Sequence, residues 1–197
     1  MAAGRGNARA KNEIIEMLKE DHQRVKKAFK TAEKLHSQEQ HEELQALVEQ
    51  TCAEVQIHAQ LEEELFYPAC REAVKEEDLI EEAEVEHGSA KALIEQLQGL
   101  SVDDPKYMAT FTVLGEYLKH HIKEEENELF EQLSSGRSKV QWEELQQQML
   151  TMRESLMAEM GLAEEEGEEQ EEPQSASRSR GGRSRSEQPA DQEETVE

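Results

Sequence analysis

Aromatic residues make up only 4% of this 197-residue sequence, and it has four prolines and two cysteines. The scarcity of proline, with Glu, Gln, Leu, Ala and Lys dominating as far as Gly161, favours helices over strands. Cys52 and Cys70 fall in one predicted helix, roughly 27 Å apart at 1.5 Å per residue, so they cannot bridge each other within it. Without a disulfide framework, a reducing compartment fits. The N-terminus, Met-Ala-Ala-Gly-Arg-Gly, has no apolar segment of the secretory type. No apolar run approaches the ~20 residues that span a membrane. Positive charge is also scarce: 22 Lys and Arg stand against 46 Asp and Glu, a formal charge of -24. Such a surface repels nucleic acid and anionic membrane, so neither is expected as a partner of the folded part. The expected protein is soluble and cytoplasmic.

The length suggests one domain plus a tail, enough for a four-helix core. The expected divisions are a flexible arm over 1–11, a helical domain over 12–160 and a disordered tail over 161–197. The tail carries an acidic run from Glu164 to Glu172 and a Ser/Arg/Gly-rich stretch from Ser175 to Ser186.

Four long helical patterns fill the domain. The first, from about Asn12 to Leu35, has an apolar row of Ile14, Leu18, Val25, Phe29 and Ala32. The second, from about Glu42 to Ala69, has Leu44, Val48, Val55, Leu65 and Ala69, with Pro68 placed to kink or end it. The third, from about Glu77 to Gln98, has Ile80, Ala83, Ala90, Ile94 and Leu97, and Gly99 follows as a stop. The fourth opens with Asp103 or Asp104 as cap and Pro105 at the first helical position. Its row is Phe111, Leu114, Leu118 and Leu129. A fifth amphipathic segment, Gln141 to Met160, carries Trp142, Leu145, Met149, Met152 and Leu156.

Two stretches nearly repeat: His58-Ala-Gln-Leu-Glu62-Glu63-Glu64-Leu-Phe66 and His121-Ile-Lys-Glu-Glu125-Glu126-Asn-Glu-Leu-Phe130. Each sets a His and a Glu one turn apart on one helix face. In the apolar rows these residues are interruptions, as are His22 on the first helix and His87 on the third. Burying six polar groups costs several kcal/mol each for unpaired carboxylates unless something satisfies them. A bound cation would do so. His22, His58, His87 and His121 with Glu62 and Glu125 can hold two metal ions, each Glu able to bridge, and four-helix bundles are a recurrent host for carboxylate di-iron centres. Glu126 competes with Glu125, since one further residue reaches the same face. Glu63, Glu64, Glu124 and Glu126 otherwise read as a solvated rim, His36 and His41 as surface residues of the first loop, and His120 as pointing about 100° away from His121. Imidazole with carboxylate suits iron, zinc or manganese, and the lack of thiolates disfavours a structural zinc site.

The order His…His-x-x-x-Glu…His…His-x-x-x-Glu resembles the hemerythrin-like (HHE cation-binding) domain family over about residues 12 to 160. The phrases Lys-Glu-Asp-His22, Glu-Glu-Leu-Phe-Tyr-Pro68, Val-Glu-His87 and His120-His121-Ile-Lys-Glu-Glu-Glu strengthen the likeness. The resemblance implies an all-α, up-down-up-down four-helix bundle, here with an additional C-terminal helix, holding two non-haem, carboxylate-bridged iron ions. By the same resemblance His22 and His58 bind one iron, His87 and His121 the other, and Glu62 and Glu125 bridge. Oxygen-carrying hemerythrins have a further His one turn from the first on the third helix. Here Ala83 and Lys91 stand there, which leaves the place to water, Glu84 or Glu86 and puts reversible oxygen carriage in doubt. The leading expectation is a protein that binds O2 or a related small molecule, or senses iron or redox state. A di-iron enzyme acting on peroxide or nitric oxide, or repairing iron centres, is the alternative; a metal-free helical interaction module is the third.

Overall fold

A computed structural model describes residues 3–75, 77–135 and 139–162. Among them there is no strand; five helices form the domain. Helix α1 is Ala3–Ser37. Helix α2 begins as His41–Leu61, passes through a π-helical turn over Glu62–Phe66 and ends as Tyr67–Arg71. Helix α3 is Asp78–Gln98. Helix α4 begins as Pro105–Glu124, passes through a second π-helical turn over Glu125–Leu129 and ends as Phe130–Ser135. Helix α5 is Trp142–Glu159. The tail expected from 161 onward lies, from residue 163, outside the described residues.

Short connections make neighbouring helices antiparallel. The first pair, α1 with α2, and the second, α3 with α4, pack against each other to close the bundle, and α5 lies on α1 and α2. Asp104 caps α4 by accepting a hydrogen bond from the backbone N–H of Lys106 at 2.8 Å, with Pro105 beyond it. Gly161 (φ 68°) closes α5 in the left-handed conformation, and the N–H of Leu162 reaches back to the carbonyl of Met157 at 2.9 Å. At the end of α1 the same closure falls on Glu39 (φ 56°), where a side chain is strained. Where α1 crosses α4, a Cβ on Gly115 would stand 2.8 Å from the Phe29 ring, so the lack of a side chain sets how closely the two helices approach.

Two expectations need correction. The residues read as a flexible arm are helical from Ala3: Ala10 is buried, and the Asn7 amide donates to the carbonyl of Val140 at 2.9 Å. The polar composition of that arm hid a face that meets the segment before α5. Pro68 does not end α2, which runs on to Arg71. The π turn before it adds one residue to the helical circuit, so the inward row beyond Glu62 runs through Phe66, Tyr67 and Cys70 rather than Leu65 and Ala69.

The apolar interior is divided. One cluster includes Ile14, Leu18, Leu61, Phe66, Tyr67, Ile80, Leu133, Trp142 and Met149; the other includes Val48, Cys52, Ile94, Phe111 and Leu114. Between them lies a layer of buried polar residues: Asp21, His22, His58, Glu62, His87, His121 and Glu125.

Candidate metal centre

Each core helix delivers its histidine to this layer from mid-helix, held on either side by apolar residues of the same row. Nε2 of His22 and Nε2 of His58 face each other at 3.2 Å, and Nε2 of His87 and Nε2 of His121 likewise at 3.2 Å. Glu62 lies between the pairs, with Oε2 at 3.2 Å from Nε2 of His58 and 3.4 Å from Nε2 of His87. Glu125 Oε2 is 3.2 Å from Nε2 of His22. Both carboxylates begin the π turns, a local form that recurs at functional sites.

The outer ring nitrogens are clamped. Nδ1 of His22 meets Glu126 Oε1 at 3.0 Å, Nδ1 of His58 meets Asp21 Oδ2 at 3.2 Å, Nδ1 of His87 meets Glu63 Oε1 at 3.1 Å, and Nδ1 of His121 meets Glu86 Oε2 at 3.0 Å. A carboxylate at Nδ1 fixes the proton there and leaves the Nε2 lone pair pointing inward, the arrangement of a metal-ligating imidazole. Two such lone pairs at 3.2 Å repel unless a cation or a shared proton lies between them. Glu62 Oε1 and Glu125 Oε1 are buried without a hydrogen-bond partner, and Glu125 Oε2 faces Nε2 of His22. The donor set therefore fits a cation, and two groups can hold one: His22, His58, Glu62 and Glu125, and Glu62, His87 and His121.

The clamps have cations behind them. Lys26 lies 3.1 Å from Glu126, Lys91 lies 2.6 Å and 2.7 Å from the oxygens of Glu63, and Arg153 of α5 grips both oxygens of Asp21 at 2.8 Å and 2.9 Å. Arg24 also pairs with Asp21. The pattern has an internal two-fold. The acid preceding the lone His of α1 or α3 (Asp21, Glu86) clamps the His of the following helix. The acid following Glu62 or Glu125 (Glu63, Glu126) clamps the lone His of the other pair.

Without a metal ion, the layer's charges fall on protons. Burial acts most strongly on His58 and opposes its charge, yet Glu62 and Asp21 outweigh it and hold its pKa well above the ordinary imidazole range. His121 is also raised, with Glu86, Glu125 and Glu62 overcoming burial. His87 goes the other way, to about 2, through burial and the neighbouring His121 and His58. Burial and Glu125 raise Glu62. Glu125 falls to about 2 because His22, His121 and His58 outweigh burial. Burial is also the largest influence on Asp21, but His58 and Arg153 hold it below the usual carboxylate range.

A cavity of about 20 Å³ touches all four histidines and is walled by Val25, Val55, Ala90, Ile94 and Leu118 among others. It is large enough for one molecule of about water's size.

A model of the hemerythrin HHE cation binding domain matches residues 13–133. The chain belongs to this family. A DNA nickase from Nostoc sp. (strain PCC 7120 / SAG 25.82 / UTEX 2576) is similar at 26% identity over 143 residues, which cover 73% of this chain and 40% of that protein. The chain thus spans less than half the length of that relative. No solved structure matches. The family and the buried His and Glu groups together fit a metal-binding, hemerythrin-like protein.

As a hemerythrin-like domain, it brings all six residues singled out in the sequence into one buried layer. Glu126 and Glu63, read as rim, are imidazole clamps. Glu86, a candidate to fill the place beside His87, holds His121 instead, and Glu84 forms an exposed ion pair with Arg71. Lys91 is taken by Glu63. His36 and His41 are exposed, as expected. Tyr67 was not anticipated: it is fully buried, stacks on His87 and donates to Glu62 Oε2 at 3.3 Å. The Glu-Leu-Phe-Tyr-Pro68 phrase held it in view, but the slip of register at the π turn concealed which way it faced. No helix among the described residues is long and apolar enough to cross a membrane.

Proposed function

We propose that this hemerythrin-like domain holds two iron ions through His22, His58, His87, His121, Glu62 and Glu125, and binds O2 or a related small molecule or responds to iron and redox state. The observation that carries the reading is the orientation of the four imidazoles: every Nε2 is turned inward and every Nδ1 is held by a carboxylate. Glu62, within reach of both His pairs, is the natural bridge. When bound, iron supplies a one-electron couple and coordination places open to a small ligand. The chain's own part is to fix the ring tautomers, exclude water and offer the small apolar-walled cavity beside the histidines.

Metal analysis of purified protein tests this, with Glu62→Ala and His121→Ala alongside. The expected result is near two iron ions per chain, falling in both variants, and charge-transfer absorption in air. An unchanged count in the variants would remove these residues from the site.

Enzymatic turnover of peroxide or nitric oxide, or a role in iron-centre repair, is favoured by one feature: Ala83, in place of a fifth His, leaves space beside His121 and Glu125. Peroxide consumption lost in His87→Ala would select that reading. A metal-free interaction role would need the purified chain to lack metal and to ignore chelators. The nicking activity in the relative's name is not carried over. The match covers 40% of that protein, and a charge of -24 opposes approach to a polyanion.

A further inference from the structure

The internal two-fold of the metal layer is broken at one corner. At the α1–α2 corner, the residues one before His58 and one before Glu62 are Ile57 and Leu61, both buried in the apolar cluster that α5 joins, and Leu18, four before His22, is buried with them. At the equivalent α3–α4 corner the corresponding residues are His120, Glu124 and Ala83. His120 is exposed, with Nε2 at 3.3 Å from Glu124 Oε1 and 3.7 Å from Glu86 Oε1. The three side chains bring one donor atom each close enough together to hold an ion.

The smaller Ala83, where its twin is Leu18, leaves a void of about 10 Å³ bordered by Leu79, Glu86, His121, Glu124, Glu125 and Leu129. Two of the outer three, Glu86 and Glu124, and two of the inner six, His121 and Glu125, thus face the same void. Glu86 also joins the two groups directly: Oε2 holds Nδ1 of His121 while Oε1 faces His120.

We infer that Glu86, His120 and Glu124 form a surface loading site for a divalent first-row transition cation, from which the ion passes along the Ala83 void to the His87–His121 pair. The chemistry matches the cargo. One imidazole and two carboxylates suit such a cation. His120 and Glu124 lie one turn apart on α4 and chelate from one helix, while Glu86 closes the site from α3. The three are partly open to water, so an arriving ion keeps part of its hydration shell. Only at the void must it exchange water for protein donors. The inference rests on the buried layer being a metal centre, but the outer site can be measured without it.

The test uses the full-length, metal-free chain and cobalt(II) as an air-stable probe. Wild-type protein should take a third, weaker equivalent beyond the buried pair. His120→Ala and Glu124→Gln should lose that equivalent and fill the buried pair about tenfold more slowly, as expected when a focusing site is removed. Their final buried stoichiometry and thermal midpoint should equal those of the wild type. In a His22→Ala/His58→Ala/His87→Ala chain the weak equivalent should persist and disappear on adding His120→Ala. Wild-type loading rates in both single variants, or a weak equivalent that survives them, would overturn the loading site while leaving the buried centre intact. Cobalt bound only at the outer site in the wild type would instead refute the buried centre and the transfer to it.

Discussion

Glu126 Oε1 lies 3.0 Å from Nδ1 of His22, on the outer side of the imidazole whose inner Nε2 faces Glu125. Helical spacing alone left either glutamate able to face the layer. The two roles separate in a metal assay. Glu125→Ala is expected to lower the metal count. Glu126→Gln is expected to keep the count and weaken retention about 10- to 100-fold, the usual effect of losing an imidazole's outer partner. Competition against chelators of graded strength reads both, and a lower count in Glu126→Gln would make Glu126 a ligand.

Metal removal should cost stability. A ligand present at about 1,000 times its Kd adds about 4 kcal/mol, which for a domain of this size is a shift of about 10 °C in Tm. Calorimetry of the loaded and chelated protein is expected to show a shift of that order. Identical midpoints would speak against a buried metal centre.

Arg153 ties α5 to the layer through Asp21. Arg153→Met leaves that buried carboxylate with the exposed Arg24 and with His58, and is expected to cost about 3 kcal/mol at neutral pH. Asp21→Asn combined with Arg153→Met should cost less than the sum of the two single changes. Urea unfolding of the four proteins closes the cycle; strict additivity would show that the pair does not couple.

The Cys52 thiol is pushed up to about 12 from an ordinary 9.0, by burial first and by Glu49 second. The folded chain therefore holds this proton more tightly than the unfolded chain. Its contribution is complete below pH 9 and is lost as pH rises from 9 towards 12. Cys52→Ala should be less stable than wild type at pH 7, through lost packing. Between pH 9 and 12 that gap should narrow by about 2–4 kcal/mol. Stability curves of the two proteins across this range decide it, and parallel curves would contradict the assignment.

Glu39 closes α1 at a φ of 56°. Glu39→Gly relieves the side-chain crowding of that conformation and is expected to stabilise the protein by about 1 kcal/mol, with metal content unchanged. Thermal denaturation measures it; a lower midpoint would mean the Glu39 side chain contributes more than it strains.

The helices and the six inward polar residues were legible because a 3.6-residue period makes a His or Glu conspicuous in an apolar row. The clamps were not. Asp21, Glu63, Glu86 and Glu126 sit one residue to the side of the row, and in a chain with 46 acids an adjacent carboxylate carries no signal of its own. Their regularity does: an acid before each lone His and one after each inward Glu, repeated in both halves. The π turns were hidden for a different reason. They change the helical count by one residue, and no residue type marks them, so the row beyond Glu62 was read onto Leu65 when the chain turns Phe66 and Tyr67 inward. The Met and Leu stripe of α5 announced burial but not its target, because Arg153 reaches Asp21 from 132 positions away in sequence.

The polar layer parts the interior into two apolar clusters. Side chains of neither cluster alone run the length of the bundle, so the halves communicate through helix backbones and through whatever joins the imidazoles. Metal loading is then expected to govern cooperativity as well as affinity. Amide hydrogen exchange should report one unfolding unit in the loaded chain. In the chelated chain it should report two, with Trp142 and Met149 protected in one and Phe111 and Leu114 in the other.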